Sequence, residues 1–137
     1  MAHPFHILDT SVIIKWFSEE ENHEKALFYL TQIQNGEIRV LVPSLFFYEF
    51  GNALLSKNLS SSAAKEFVKQ LFQLELLIAE MSKQDIAAIY KISQTYHISF
   101  YDGAYVYLAK KRNCAFVTAD KKLFLKIQKD FPKAHLL

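Results

Sequence analysis

The sequence predicts an α/β fold, a three-layer α/β/α sandwich with a mainly parallel sheet. Short apolar segments recur along the 137 residues, and helical segments separate them. Parallel strands need connections of that length, and such helical crossovers cover both faces of a sheet. No Pro-, Gly- or Ser-rich linker and no internal repeat divides the chain, so residues 1–137 are predicted to form one domain.

The first predicted strand is Phe5–Leu8, an apolar run followed by three polar residues whose side chains suit a helix start. The helix that follows is predicted over Ser11–Phe17. A second helix, Asn22–Gln34, carries an apolar stripe at helical spacing and ends at an Asn-Gly pair. Ile38–Val42 predicts a strand, which Pro43 stops.

The middle of the chain alternates in the same way. An aromatic-rich helix is predicted over Ser44–Lys57 and another over Ser61–Leu74, before a short strand at Leu76–Ala79. The next two helices, Ser82–Tyr96 and Ser99–Arg112, each begin with a Ser followed three residues later by an Asp. That spacing is typical of a capping box.

The last part of the chain predicts a strand at Cys114–Thr118, a basic helix at Asp120–Lys129 and an edge strand at Ala134–Leu137. In open parallel sheets of this kind, ligands bind outside the carboxyl ends of the strands. Functional residues are therefore expected at the residues that follow the strands.

The composition is that of a compact globular protein. Hydrophobic residues make up 51% and charged residues 22%, with three Gly and three Pro, which excludes a disordered or collagen-like chain. The single cysteine, Cys114, excludes an internal disulfide and a Cys-rich zinc site, and we expect it to be an inert buried thiol. Neither a signal peptide nor a membrane-spanning run is apparent, so we expect a cytoplasmic protein.

The charge is unevenly distributed. Residues 1–109 carry 8 Lys or Arg and 12 Asp or Glu, whereas residues 110–137 carry 8 Lys or Arg and 2 Asp. This asymmetry is compatible with an acidic site beside a surface that attracts a polyanion. A solvated basic helix face explains the same pattern, and charge alone leaves both interpretations open.

Four acidic residues lie where the predicted topology places ligand sites. Asp9 follows the first strand, and Asp120 lies two residues beyond Thr118, at the end of another. Asp102 lies in the first turn of a helix, and Glu49 lies one turn into the aromatic-rich helix. Four carboxylates brought together repel one another unless cations compensate them. Oxygen ligands without paired histidines suit Mg²⁺ or Mn²⁺ rather than zinc.

Helix capping is the alternative for three of these acids. Asp9 and Asp120 each precede a helix, and Asp102 stands third after Ser99, as in a capping box. Glu49 differs, because the rest of its helix is predicted to be buried, and an unpaired carboxylate there would be costly. Capping and metal binding are not mutually exclusive.

Other kinds of site are not indicated. No phosphate-binding Gly-rich loop and no Ser-His-Asp or Cys-His set is present. The aromatic residues Trp16, Tyr101 and Tyr105 are expected in the core rather than stacked on nucleic-acid bases. The histidines show no paired metal-ligand spacing. They are His3, His6, His23, His97 and His135.

Four motifs follow one another in the order and spacing of a known family. They are Ile7–Phe17, Glu49–Leu54 after Pro43-Ser44, Tyr101–Tyr105 with Leu108-Ala109, and Val117–Leu123. Together they resemble the PIN-domain nucleases, specifically the VapC-type toxins of prokaryotic toxin–antitoxin pairs. The resemblance covers nearly the whole chain. Gly51 and Gly103 depart from it, because the family more often has Ala or another small or apolar residue there.

The resemblance implies a PIN-like sandwich and a Mg²⁺- or Mn²⁺-dependent endoribonuclease that acts as a toxin. By position, Asp9 and Asp102 would be the principal metal ligands, and Glu49 and Asp120 would complete the acidic pocket. Residues implied to orient these carboxylates are Ser11, Asn52 and Thr118.

The resemblance also implies partners. They are an RNA substrate, a small antitoxin whose C-terminal segment lies in the active-site groove, and a second copy in a homodimer. Lys15 and the basic residues between Lys110 and Lys122 are candidates for holding the RNA backbone.

Other functions compete with this interpretation. A PIN-like chain could process RNA or cut DNA without being a toxin, or could be an inactive binding module. A phosphotransfer domain of receiver or phosphatase type also places acids at strand ends. Two observations oppose a phosphotransfer domain. No second Asp follows Asp9 two residues later, and a helical glutamate such as Glu49 has no role in such a domain.

Overall fold

The computed structural model describes residues 4–137. Their strands form a five-stranded sheet in the order β3-β2-β1-β4-β5, and every neighbouring pair is parallel. The strands are β1 (Phe5–Leu8), β2 (Arg39–Pro43), β3 (Leu76–Ala79), β4 (Ala115–Thr118) and β5 (Ala134–Leu136). The predicted parallel sheet, with its last strand at an edge, is confirmed.

Helices flank this sheet and make it the middle layer of the predicted α/β/α sandwich. The α-helices are α1 (Thr10–Ile13), α2 (His23–Gln34), α3 (Phe46–Ser56), α4 (Ser61–Phe72), α5 (Lys83–Tyr96), α6 (Phe100–Arg112) and α7 (Lys121–Ile127). A 3₁₀ helix, Ile14–Phe17, continues α1. Among the helices of residues 4–137, none is long and apolar enough to span a membrane.

Several helices begin or end one to four residues from their predicted bounds, and two of these differences have a structural cause. The helix predicted over Ser11–Phe17 is α-helical only to Ile13 and then tightens into the 3₁₀ turn. Consecutive β-branched residues crowd an α-helix there, and the indole of Trp16 donates to the carbonyl of Ala26 at 2.8 Å. The helix predicted to reach Lys129 ends at Ile127, because the chain must turn before it enters β5.

The central strands position the functional end of the molecule. Ile7 and Leu8 of β1 and Phe116 and Val117 of β4 have no exposed surface, as in parallel sheets covered on both faces. The register pairs Ile7 with Phe116 and Leu8 with Val117. The backbone N–H of Asp9 extends this ladder by donating to the Val117 carbonyl at 3.0 Å. The first residue after β1 therefore lies beside the end of β4.

A polar cluster joins α5 to α6. The predicted capping box is confirmed. The N–H of Ser82 donates to Asp85 Oδ2 at 2.8 Å, and the N–H of Asp85 donates to Ser82 Oγ at 3.2 Å. The other oxygen of Asp85 accepts from Tyr107 OH at 2.5 Å and from Lys111 Nζ at 3.1 Å. These donors, the Ser82 N–H foremost, hold the pKa of Asp85 well below its usual range. The two helices are thus tied together away from the four acids.

Gly103 lies where α6 crosses α5. A Cβ at this position would lie 2.1 Å from Ser93 Oγ and 3.3 Å from the Ile89 carbonyl oxygen. Gly51, the other glycine inside a helix, has no atom within 4 Å of the same point. Glycine in place of the family's more usual alanine therefore permits close helix packing at position 103. At position 51 the packing gives no such reason for a glycine.

Matched alanine substitutions test this difference. Gly51→Ala should raise the free energy of unfolding by up to about 1 kcal/mol, since alanine is the better helix former. Gly103→Ala should lower it by roughly 1–3 kcal/mol through overpacking. Urea denaturation measures both. Adding Ser93→Ala to Gly103→Ala should recover part of the loss, and equal stability of the two single variants would contradict the packing argument.

Candidate metal centre

Asp9 opens α1 with its backbone and leaves its side chain for other contacts. Its carbonyl accepts from the N–H groups of Val12 and Ile13 at 2.9 and 3.3 Å, whereas its carboxylate makes no capping bond. Asp9 thus occupies the N-cap position, as the capping alternative expected, but caps the helix through its backbone. The residue is 7% exposed, and burial raises its pKa, with a further contribution from the charge of Asp120.

Two hydroxyl groups hold the carboxylate of Asp9. Thr118 Oγ1 donates to Asp9 Oδ2 at 2.8 Å, and Ser11 Oγ donates to the same oxygen at 3.0 Å. Each hydroxyl also accepts a backbone N–H at 3.0 Å, from Asp120 and Ala119 respectively. Ser11 and Thr118 thus fix Asp9 against the loop after β4.

Asp120 is the N-cap of α7. Its Oδ1 accepts from the N–H of Leu123 at 3.1 Å, so the capping alternative is correct for this residue. The cap engages one of its two carboxylate oxygens. Asp120 is the exposed member of the four acids.

Asp102 lies in the first turn of α6, where the partial positive charge of the helix N-terminus favours an anion. Ser99 caps this helix by accepting the N–H of Asp102 at 3.0 Å. Burial is the main cause that raises the pKa of Asp102 to about 6, and the neighbouring charge of Asp9 is the second. The charges of Asp120 and Glu49 act in the same direction.

Glu49 lies at the boundary between the buried and exposed faces of α3. Its Oε1 accepts from Tyr105 OH at 2.7 Å and lies 3.1 Å from Thr10 Oγ1. Burial raises its pKa, and the charge of Asp9 adds to this. The expectation that the rest of this helix is buried is wrong: Tyr48 is 84% and Leu55 is 78% exposed. Both project from the side of α3 opposite its buried residues.

The predicted orienting residues do not all reach the acids. Ser11 and Thr118 contact Asp9 as described. Asn52 is exposed on α3, and within residues 4–137 its side chain makes no hydrogen bond to the four acids. Its orienting role stays a prediction that no contact supports.

Sequence analysis missed the roles of Thr10 and Tyr105 beside Glu49. Tyr105 is fully buried, as expected of a core residue, yet its hydroxyl contacts a carboxylate. Its position three residues after Asp102 places it on the same helical face, which was the available signal. The partner, Glu49, is 56 residues away along the chain.

The four carboxylates form an uncompensated acidic cluster. Burial is the main cause that raises the pKa of Asp9, Glu49 and Asp102, and the charge of at least one other acid of the four adds to the shift in each. In the part of the chain that the structure describes, the ion pairs involve Glu20 and Asp85, and none involves these four acids. Their negative charge is therefore left for protons or a bound cation to compensate.

The donor set fits a hard divalent cation. Within residues 4–137, no group of three or more His, Cys, Asp or Glu side chains is arranged so that together they could hold a metal ion. Mg²⁺ does not require one, because it keeps several waters and binds through one or two carboxylates. His3 lies outside the described residues, so its predicted lack of a ligand role is not examined by the structure.

Some of the lysines named as candidates for RNA binding already make hydrogen bonds within the protein, whereas others are exposed to solvent. Lys15 Nζ donates to the Glu21 carbonyl at 2.8 Å, and Lys110 Nζ donates to Tyr96 OH at 3.0 Å. Lys111 is held by Asp85 as described above. Exposed lysines do follow Asp120 directly, at Lys121 and Lys122.

Aromatic residues near the site also divide. Trp16 is buried, as expected. The prediction that Cys114 is a buried thiol is also confirmed, and burial raises its pKa. Tyr101 was expected in the core but is 60% exposed, directly before Asp102. One exposed aromatic residue and two exposed lysines are thus the sequence neighbours of Asp102 and Asp120.

Known proteins share this fold. The model of the PIN domain family matches residues 6–130. No curated protein matches the sequence significantly. A toxin–antitoxin complex from Klebsiella pneumoniae is similar, with 18% identity over 95% of each chain and a TM-score of 0.68.

Two further solved structures are similar. VapC20 of Mycobacterium tuberculosis, described as a toxin that cleaves the sarcin-ricin loop, is 12% identical over 88% of this chain and 93% of its own, with a TM-score of 0.67. A Pyrobaculum aerophilum protein is 21% identical over 90% and 79% of the two chains, with a TM-score of 0.69. At these identities the likenesses show the shared fold.

Neutralising Asp102 should stabilise the metal-free protein at neutral pH. A carboxylate whose folded-state pKa is raised favours folding below its unfolded pKa, near 4, and loses that contribution as pH rises through about 6. Asp102→Asn should therefore raise the free energy of unfolding at pH 7 in EDTA by on the order of 1 kcal/mol, since water screens part of the full effect. At pH 4 the gain should vanish.

Thermal and urea unfolding at the two pH values measure this, with the exposed Glu37→Gln as control. A loss of stability by Asp102→Asn that is equal at pH 4 and pH 7 would show that repulsion is not the dominant effect.

Proposed function

The chain belongs to the PIN domain family, and from that premise we propose that it is a metal-dependent endoribonuclease acting as the toxin of a toxin–antitoxin pair. The observation that carries the proposal is the uncompensated cluster of Asp9, Glu49, Asp102 and Asp120 at the carboxyl edge of the sheet. Membership of the family removes the phosphotransfer alternative.

Asp9 and Asp102 would be the principal ligands of Mg²⁺ or Mn²⁺, with Glu49 and Asp120 binding directly or through water. A divalent ion held by these residues would supply a more acidic bound water and positive charge beside the phosphodiester. The protein's own contribution is to fix the carboxylates before the ion binds. Ser11 and Thr118 immobilise Asp9, the N-terminus of α6 favours charge on Asp102, and the N-cap bond orients Asp120.

RNA recognition is proposed for the sequence neighbours of Asp102 and Asp120. Lys121 and Lys122 are free to contact backbone phosphates, which would make binding dependent on salt. The exposed ring of Tyr101 offers a surface on which a base can stack. We propose hydrolysis that leaves a 5′-phosphate and a 3′-hydroxyl. RNA as substrate is supported by the neighbour described as cleaving the sarcin-ricin loop.

The toxin role and its partners are supported by the fold shared with toxin–antitoxin complexes. An antitoxin and a second copy of the chain would both cover apolar side chains that this chain leaves exposed. Such side chains lie on α3 and α4, where Tyr48, Leu55 and Phe72 are 84%, 78% and 66% exposed. A cytoplasmic location belongs to the same proposal.

Asp9→Asn should abolish metal-dependent RNA cleavage while leaving the fold intact. The amide keeps an oxygen for the Ser11 and Thr118 hydroxyls but removes the charge that binds the cation. We expect cleavage of a mixed tRNA and rRNA pool in Mn²⁺ to fall by at least about 100-fold, beyond the usual loss of an orienting residue.

Glu37→Gln is the matched control, since it neutralises an exposed acid outside the cluster. It should cut RNA like the parent, and EDTA should stop both. Cleavage by Asp9→Asn at the parental rate would refute the site. If the parent protein cut DNA but not RNA, a DNA-directed nuclease would be favoured. If the parent protein bound Mn²⁺ but cut neither, an inactive binding module would be favoured.

A further inference from the structure

Two hydroxyl groups converge on one oxygen of Glu49. Tyr105 OH lies 2.7 Å and Thr10 Oγ1 lies 3.1 Å from Glu49 Oε1, and the two hydroxyl oxygens lie 2.8 Å apart. Thr10 belongs to α1, Glu49 to α3 and Tyr105 to α6. The three side chains therefore link three helices at the border of the acidic cluster.

The available hydrogens decide which contacts are hydrogen bonds. Each hydroxyl has one hydrogen to donate, so two hydrogens serve three contacts. The two shortest contacts are satisfied together when Tyr105 donates to Glu49 and Thr10 donates to the Tyr105 oxygen. Tyr105 is then the principal donor to Oε1, and Thr10 strengthens that bond by polarising the phenol.

Core packing does not explain a hydroxyl at this position. Tyr105 has no exposed surface, and its ring centroid lies 6.3 Å from that of Phe116. Phenylalanine would supply the same ring without a polar group to bury. The hydroxyl is tolerated because it is bonded, and its bond is to a carboxylate of the cluster.

One oxygen of Glu49 remains free of these contacts. In the described part of the chain, both hydroxyls contact Oε1, and no hydrogen bond engages Oε2. Asp9 shows a parallel arrangement, because its two hydroxyl donors also share a single oxygen. In each acid, hydroxyl groups from other elements restrict the carboxylate to one orientation.

We propose that Tyr105 is a positioning residue of the metal centre, an inference that rests on the function proposed above. Its hydroxyl fixes Oε1 of Glu49 and leaves Oε2 to bind the divalent cation, directly or through a water. Glu49 therefore acts as a ligand through one oxygen, and its orientation is set before the cation arrives. Thr10 supports the same arrangement with a smaller effect.

Tyr105→Phe tests this inference through the affinity for Mn²⁺ in the absence of RNA. The affinity, measured by calorimetric titration, should fall about tenfold, as is usual when a partner of a metal ligand is lost. Saturating Mn²⁺ should restore most of kcat. The matched control is Tyr107→Phe, which removes a hydroxyl of the same helix that bonds Asp85 outside the cluster. It should lower stability and keep the parental affinity.

The Glu49→Gln background separates positioning from general packing. There, adding Tyr105→Phe should cause no further loss of Mn²⁺ affinity. Parental affinity in Tyr105→Phe, or an equal loss with and without Glu49, would overturn the inference. If the parent protein bound Mn²⁺ but cut no RNA, the ribonuclease proposal would be refuted. The Mn²⁺ affinities of the parent and its variants would still decide the role of Tyr105. A parent that binds no Mn²⁺ would refute both.

Discussion

Mutual repulsion among Asp9, Glu49 and Asp102, with Asp120 beside them, is the constraint on which this end of the molecule depends. Desolvation and like charge both raise the pKa values of the first three, and no lysine or arginine among residues 4–137 pairs with the cluster. Such a cluster opposes folding at neutral pH, so the rest of the fold must hold it together. The adjacent ends of β1 and β4 and the helix α6 do so, because each fixes an acid through its backbone.

The chain stabilises the carboxylates with dipoles and leaves their charge unneutralised. Hydroxyl groups hold Asp9 and Glu49, the backbone N–H of Leu123 orients Asp120, and a helix N-terminus lies at Asp102. Hydrogen bonds of this kind orient a carboxylate without cancelling its attraction for a cation. A lysine in the same place would stabilise the protein and compete with the metal. The four acids thus lower stability, whereas Asp85 is paired and stabilises the α5–α6 contact.

Much of this arrangement could be predicted from local sequence. Every strand and the parallel direction of the sheet follow from apolar runs and helix spacing, and Asp9 and Asp120 follow from their positions after strands. The order of the strands could not be predicted in this way. Contacts between distant residues could not be predicted, because nothing local to Tyr105 or Thr10 identifies Glu49 as their partner. The close approach at Gly103 likewise depends on Ser93 of another helix. Exposure was misjudged at Tyr48 and Tyr101, since an aromatic residue is apolar whether it faces the core or a surface left open for a partner.

The central claim is that a divalent cation compensates this acidic cluster. The most direct test is a crystal grown with Mn²⁺, with the ion located by its anomalous scattering. We expect a peak bound by carboxylate oxygens of Asp9 and Asp102. We also expect Glu49 to contribute a single oxygen, directly or through water. A peak only at other residues, or none at saturating Mn²⁺, would contradict the claim.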